Sequence, residues 1–158
     1  MQKTFRNFVI IAISTTVIQS ALGLMLASFL SVKIKLSGLY KIPFYLPAIC
    51  TSTIVGTVFS KIFETNRGYL NVILRALHLD FLCQQWLATP KTALACLLFV
   101  NIWQWTGYSM LMYYTNMLNI PQDLYESATI DGAGSFKQFI YITFPLLRGT
   151  HITLIILD

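Results

Sequence analysis

The chain has 158 residues, of which 56% are apolar and only 11% are charged, and its mean hydropathy is +0.65. A soluble globular domain carries about 25% charged residues, so this chain has too few charges to cover a water-facing surface. The net charge of +5 is spread without a cluster of four or more basic residues, which argues against nucleic acid as a partner. The composition predicts an integral membrane protein.

Uncharged runs define the first two predicted membrane spans. The first span is predicted over 8–30, which is long enough to cross about 30 Å of hydrocarbon at about 1.5 Å per residue. The next uncharged run, 42–60, predicts a second span over about 42–62. Pro43 and Pro47 are expected in its first turns, where a missing N–H costs least.

A third span is predicted over 93–118, and a fourth apolar segment begins near Ile152. The fourth segment stops at Asp158, long before it could cross a membrane. We therefore expect an all-α, polytopic transmembrane helical bundle that is a truncated piece of a longer protein. Residues 1–158 are expected to form one partial transmembrane domain.

Small residues recur every fourth position in the first two spans. Such rows allow helix backbones to approach closely in lipid, so they predict helix packing faces. The first row is Gly23, Ala27 and Ser31, and the second is Ala48, Ser52, Gly56 and Ser60.

Polar residues of the third span fall on one predicted helical face: Asn101, Gln104, Tyr108 and Thr115. This stripe either lines a translocation pathway or bonds to neighbouring helices. The apolar cores of the spans contain no Asp, Glu, Lys, Arg or His, although ion-coupled transporters depend on such groups. Energy for any transport would therefore come from elsewhere.

No catalytic constellation, metal-ligand set or cofactor motif is present in the sequence. Cys50, Cys83 and Cys96 are expected to pack as small hydrophobes.

The stretch 119–150 predicts a helical hairpin at the membrane surface. A first helix is predicted over Pro121–Ile130, and Gly132 is the residue best suited to a left-handed cap. Gly134 and Ser135 then offer a turn and an N-cap. The predicted second helix, 136–144, ends at Pro145 and has one apolar face made of Phe136, Phe139, Ile140 and Phe144.

This hairpin resembles the EAA loop of the permeases of binding-protein-dependent ABC importers. The family pattern is Glu-Ala-Ala, three residues, Gly, nine residues and Ile-x-Leu-Pro. The stretches Glu126-Ser127-Ala128, Gly132 and Ile142-Thr143-Phe144-Pro145 fit it without a gap. The flanks Ile120-Pro121 and Asp131-Gly132-Ala133 resemble the sugar and glycerol-phosphate branch. Ser127 and Phe144 depart from the pattern, which leaves the details of docking open.

The resemblance implies a non-catalytic permease subunit of a cell-membrane importer for a sugar or related solute. Its expected partners are ABC ATPase subunits, a second permease, an extracellular solute-binding protein and membrane lipid, with no cofactor. The hairpin would lie on the cytoplasmic side and dock in a groove of the ATPase. Glu126 would pair with a basic residue there, Gly132 would form the turn, and the face around Phe136, Phe139 and Ile140 would fill the groove. The residues assigned to this coupling surface are Glu126, Ser127, Ala128, Asp131, Gly132, Ala133, Phe136, Phe139, Ile142 and Pro145.

Charge counts do not orient the chain by themselves. With the hairpin inside, five basic residues lie inside (Lys33, Lys35, Lys41, Lys137 and Arg148) and six lie outside (Lys3, Arg6, Lys61, Arg67, Arg75 and Lys91). His78 and His151 are interpreted as interfacial polar residues and not as ligands.

Two alternative functions stay open: a secondary transporter or channel, and a membrane assembly protein that docks a cytosolic partner. The solute, the pathway residues and the pairing of permease subunits are not readable from the sequence.

Overall fold

The computed structural model describes residues 2–31, 37–65 and 67–157, and this part of the chain is helical without strands. The predicted all-α class is therefore confirmed. The longest helices are α1 (Gln2–Ser31) and α5 (Pro90–Leu118). The remaining helices are α2 (Ser37–Ile49), α3 (Ser52–Ile62), α4 (Tyr69–Ala76), α6 (Gln122–Ile130), α7 (Ser135–Gln138), α8 (Phe144–Leu146) and α9 (Arg148–Leu157). A 3-10 turn covers Asp80–Leu82, and a π turn covers Phe139–Thr143.

Helix α5 is the centre of the molecule and packs along α1, α2 and α9. The apolar core lies between these helices and consists of Ala27, Leu30, Met110, Tyr113, Tyr114, Met117, Leu147 and Leu154. Large apolar side chains also cover the outside, for example Phe8 and Phe29, which are 68% and 69% exposed. An outer surface of this kind suits lipid or further helices and not water.

The predicted second span is not a continuous helix. Helices α2 and α3 meet at 102° across the break at Cys50 and Thr51. Helix α2 begins before residue 42, so Pro43 and Pro47 lie inside it and not in its first turns as predicted. Because each proline removes a backbone donor, they weaken this helix shortly before it ends.

Length and composition allow one helix of the described part, Phe8–Ser31 within α1, to span a membrane. The number rises to three if each bent pair counts as one span: 42–49 with 52–62, and 135–146 with 148–157, the latter bent by 58°. Helix α5, with 29 residues, covers the predicted third span, but it is not among the helices whose length and composition allow them to span a membrane. The fourth segment begins at Arg148, four residues earlier than predicted.

The two rows of small residues have different environments. Gly23 and Ala27 are buried against α5, whereas Ser31 at the end of α1 is exposed. Ser52, Gly56 and Ser60 on α3 are all exposed, and a Cβ on Gly56 would meet no atom within 4 Å. The first row therefore packs helices within this chain, while the second is divided: Ala48 is half-buried on α2, and the three members on α3 face outward.

Asn71 joins the segments of the connection between α3 and α5. Its side chain is only 2% exposed, and its Nδ2 donates to the carbonyl oxygens of Thr65 (3.0 Å) and Gln84 (3.1 Å). Its Oδ1 accepts a hydrogen bond from Trp86 Nε1 at 2.8 Å, and Cys83 Sγ donates to its backbone oxygen. The connection is thus folded around one buried amide.

The three cysteines differ in burial. Cys96 is buried, Cys83 is half-buried, and Cys50 is exposed at the break between α2 and α3. The prediction that all three pack as small hydrophobes is therefore wrong for Cys50, because the bend places it outside the bundle. The basic residues Lys3, Lys33, Lys35 and Lys41 lie outside the residues whose side chains the structure describes.

Candidate coupling hairpin and polar cavity

The first arm of the hairpin is α6. Pro121 occupies the N-cap position with φ −57° and ψ 132°, and the helix runs over Gln122–Ile130, which confirms the predicted helix to within one residue. Asp123 lies in the first turn, where its charge complements the positive end of the helix dipole.

The turn at the tip of the hairpin is a Schellman motif. Gly132 has φ 74°, and its N–H donates to the Thr129 carbonyl at 3.0 Å. The N–H of Ala133 donates to the Ala128 carbonyl at 2.9 Å, which completes the pair of bonds that defines the motif. A Cβ at Gly132 would meet nothing within 4 Å, so the backbone conformation and not space requires glycine. The predicted left-handed cap is confirmed.

The second arm differs from the predicted helix. It begins as α7 with Gly134, not Ser135, at the N-cap position, and no side chain caps it. The chain then forms the π turn, in which the Phe144 N–H donates to the Phe139 carbonyl five residues back. Pro145 does not end the helix as predicted, since α8 continues to Leu146 and the chain bends only before α9. The first turn of α8 tolerates a residue without an N–H.

Side-chain hydrogen bonds join the two arms. The hydroxyl groups of Tyr125 and Thr143 lie 2.8 Å apart, and Thr143 is buried. Gln138 Nε2 donates to Thr129 Oγ1 at 2.9 Å and to the Ala133 carbonyl at 3.1 Å. The arms are therefore braced against each other by side-chain hydrogen bonds. Sequence analysis missed Tyr125, Gln138 and Thr143 in this role, although the last two lie within the motif and Tyr125 directly precedes it.

The exposed side chains of the hairpin form a surface at its tip. Ile130 and Phe136 are 87% and 75% exposed, and Glu126 is exposed with its Oε1 accepting from Gln122 Nε2 at 3.0 Å. Phe139 instead packs against the apolar core of the bundle. The predicted apolar face is therefore unevenly buried: Phe136 and Phe139 both line a cavity between the second arm and the ends of α1 and α5, but Phe136 stays largely exposed while Phe139 packs on the core.

The other predicted coupling residues take different positions. Ser127 is exposed and its Oγ donates to the Asp123 carbonyl at 2.8 Å. Asp131 and Pro145 are exposed, while Ala128, Ala133 and Ile142 are half-buried. The half-buried members thus stabilise the turn and the second arm, and the exposed members remain available to a partner.

The structure brings together two residues of the predicted polar stripe. Asn101 and Tyr108 line a cavity of about 500 Å³ beside α1, together with Gln19 and Trp105. Gln19 Nε2 donates to Asn101 Oδ1 at 2.8 Å, which ties α1 to α5. Sequence analysis missed Gln19, although a glutamine inside an apolar span is a signal in itself.

Gln104 and Thr115 do not share this cavity. Gln104 is buried, and its Nε2 donates to the Cys50 carbonyl at 3.2 Å, where α2 ends. Thr115 is exposed and bonds to carbonyl groups of its own helix. Gln104 is therefore a packing residue at the bend, and the pathway prediction retains only Asn101 and Tyr108.

Several known proteins are similar to this chain over most of its length. A probable ABC transporter permease protein, YurN of Bacillus subtilis, is 38% identical over 141 residues, which are 88% of this chain and 48% of the relative. The arabinooligosaccharides transport system permease protein AraP of the same organism is 33% identical over 136 residues, or 85% of this chain and 43% of the relative. The maltose/maltodextrin transport system permease protein MalF of Salmonella typhimurium is 34% identical over 88% of this chain and 27% of its own length. The chain thus spans about half or less of the relatives it matches.

A solved structure shares the fold. A chain from the crystal structure of a bacterial alginate ABC transporter, in complex with an alginate pentasaccharide-bound periplasmic protein, matches with a TM-score of 0.86. The match covers 96% of this chain and 53% of that one at 22% identity. The family of inner membrane components of binding-protein-dependent transport systems matches residues 8–158, nearly the whole chain. This chain therefore belongs to the family of binding-protein-dependent transport system inner membrane components.

Proposed function

We propose that the chain is part of the permease subunit of an ATP-driven importer for sugars or related solutes. It would cross the cell's inner membrane several times, contribute to the translocation pathway, and couple to the ATPase through the hairpin formed by α6, α7, the π turn and α8. The observation that carries this proposal is the braced, exposed hairpin in a chain of this family. ATP hydrolysis would take place on a partner chain.

The tip of the hairpin has the chemistry of a docking surface. Ile130 and Phe136 present exposed apolar side chains, and Glu126, four residues before Ile130, presents a carboxylate on the same face of α6. An apolar contact with a charge at its edge is typical of a specific protein interface. We therefore place Ile130 in the contact with the ATPase, in addition to the predicted residues, and assign Phe139 to the link between hairpin and bundle.

Sugars are the proposed solutes because relatives of this chain are named for them. AraP is named for arabinooligosaccharides, MalF for maltose and maltodextrin, and LacF of Rhizobium radiobacter for lactose. The cavity beside Asn101 and Tyr108 combines amide and aromatic groups without an ionisable acid or base of the Asp, Glu, Lys, Arg or His type. Such groups bind uncharged, hydroxyl-rich solutes, so this cavity is the proposed part of the pathway in this chain.

Uptake by the reconstituted complex tests the proposal. The membrane complex containing this chain would be placed in proteoliposomes with its ATPase, second permease and binding protein, and supplied with labelled maltose, lactose or arabinotriose. We expect ATP-dependent uptake of at least one of these sugars. Replacing Glu126 with lysine should reduce it about tenfold or more, since a charge reversal in a docked interface repels the partner.

Asp80→Lys is the matched control, because Asp80 is an exposed acid in the connection outside the hairpin. Its uptake should equal that of the unaltered complex. Uptake that persists without ATP would favour a secondary transporter instead. Binding of the ATPase without any sugar uptake would favour the assembly protein.

A further inference from the structure

A second contact closes the base of the hairpin. The chain enters the hairpin from α5 and leaves it through α9. Tyr113 lies five residues before the end of α5, and His151 lies three residues after the start of α9. Tyr113 Oη and His151 Nδ1 are 2.7 Å apart, within hydrogen-bond distance. The entering and leaving helices are therefore tied together next to the hairpin.

The His151 ring also reaches across the bend between α8 and α9. Its centroid lies 4.8 Å from that of Phe144, before the bend, and 5.2 Å from that of Tyr113. One imidazole on α9 thus contacts side chains of both α5 and α8. Tyr113 is fully buried in the core, so a displacement passed to it moves the core.

Packing alone does not explain a histidine at this position. His151 Nε2 is buried and has no hydrogen-bond partner among the residues that the structure describes. A buried nitrogen without a partner costs free energy, and an apolar side chain here would avoid that cost. Such groups call for a reason beyond stability.

We infer that Tyr113 and His151 are positioning residues that make the hairpin and the two helices at its base move together. The inference rests on the proposed docking of the hairpin on an ATPase. When the ATPase displaces the hairpin, the Tyr113–His151 contact keeps the angle at the bend and passes the movement to α5 and α9. Without it, the hairpin could pivot at Leu147 while α9 stays behind.

Three substitutions test this in the reconstituted complex described above. Tyr113→Phe removes the hydroxyl and keeps the ring, His151→Phe keeps a ring without nitrogen, and His151→Gln keeps a side chain that can bond to the tyrosine. Tyr69→Phe is the matched control, because Tyr69 is 65% exposed and lies in α4. The measured quantity is the number of sugar molecules imported per ATP hydrolysed.

Tyr113→Phe and His151→Phe should each lower this ratio about fivefold or more while the rate of ATP hydrolysis stays unchanged, since loss of coupling separates the two activities. The double variant should be no worse than either single variant, because both remove the same contact. His151→Gln should keep most of the ratio, and Tyr69→Phe all of it.

A purely structural contact would give a different result. Uptake and ATP hydrolysis would then fall in parallel, with less assembled complex and an unchanged ratio, and this overturns the inference. Unchanged uptake in both phenylalanine variants overturns it as well. If the complex with Tyr113→Phe does not assemble, the import ratios of His151→Phe and His151→Gln decide instead. If neither histidine variant assembles, the contact serves stability and the inference is overturned. Absence of ATP-dependent uptake in the unaltered complex would instead refute the proposed function.

Discussion

Glycine has opposite uses in the bundle and in the hairpin. In the bundle, Gly107 lies where α2 crosses α5, and a Cβ there would overlap the carbonyl oxygen of Phe44. Gly23 is in a similar position, with its Cβ site 2.8 Å from Ser109 Cβ. In the hairpin, Gly132 has open space around it but needs a positive φ. The bundle therefore uses glycine where no side chain fits between two helices, and the hairpin uses glycine where the turn needs a positive φ.

The largest expected effect is that of Gly107→Ala. A methyl group would overlap backbone atoms of α2, which cannot rotate away as a side chain can. We expect a loss of at least about 2 kcal/mol in unfolding free energy, or no assembled protein, because overpacking a close contact forces the backbone apart. Thermal unfolding of the purified protein in detergent measures it. A stable Gly107→Ala variant would show that α2 does not pack as closely as described.

An intermediate effect is expected at the hairpin turn. Gly132→Val should destabilise the turn by roughly 1–2 kcal/mol, because a β-branched residue is strained at positive φ. Gly132→Asn should cost much less, since asparagine tolerates this conformation. Protease cleavage within the turn and ATP-dependent uptake measure the two variants. Equal effects of valine and asparagine would indicate that side-chain volume matters here, and the contrast with Gly107 would fail.

A smaller effect is expected from the bonds between the arms. Gln138→Ala should destabilise the hairpin by roughly 1 kcal/mol, because Thr129 and the Ala133 carbonyl lose their donor. Faster hydrogen exchange of the backbone amides over 125–133 would show it. Gln122→Ala is the control, since it removes only an exposed bond within α6. Equal exchange in the two variants would mean that the arms are not braced through Gln138.

The smallest effect is expected at the outward-facing row of α3. Gly56→Ala adds a methyl group where no atom lies within 4 Å, inside a helix. The unfolding free energy should change by no more than about 1 kcal/mol, in the stabilising direction, because alanine favours the helix over glycine. Loss of the assembled complex in this variant alone would indicate that another chain packs on this row.

The parts of the fold that depend on local chemistry were predictable from the sequence. Pro121 before α6 and Gly132 after it determine the first arm and its turn, and both act through neighbouring residues only. The second arm was less predictable, because its π turn coincides with a bond from Thr143 to Tyr125 on the other arm. The break after α2 escaped prediction for a similar reason, since the bond from Gln104 Nε2 to the Cys50 carbonyl at the break joins distant residues.

Two of the four residues of the polar stripe share a cavity, as helical spacing predicts. Asn101 and Tyr108 are seven residues apart, and at about 100° per residue they point in nearly the same direction, so they share the cavity. Gln104 lies about 60° away from Asn101 by the same geometry. That difference is enough to direct it to Cys50, a partner no pattern within α5 could reveal. Helical position therefore predicts which residues share a side, and tertiary contacts decide what they meet.

The π turn also affects the direction in which side chains of the second arm point around its axis. A π turn accommodates one more residue than an α-helical turn, so residues before it are rotated by about 100° relative to those after it. Phe136 precedes the turn and Leu147 follows it, eleven residues later, a separation that would place both on nearly the same side of a continuous α-helix. In the structure Phe136 is 75% exposed and Leu147 is buried. Deleting one residue from 139–143 would rotate Phe136 to a different side of the hairpin without altering its chemistry. The number of residues in this short stretch, as much as their identity, thus sets where the tip points.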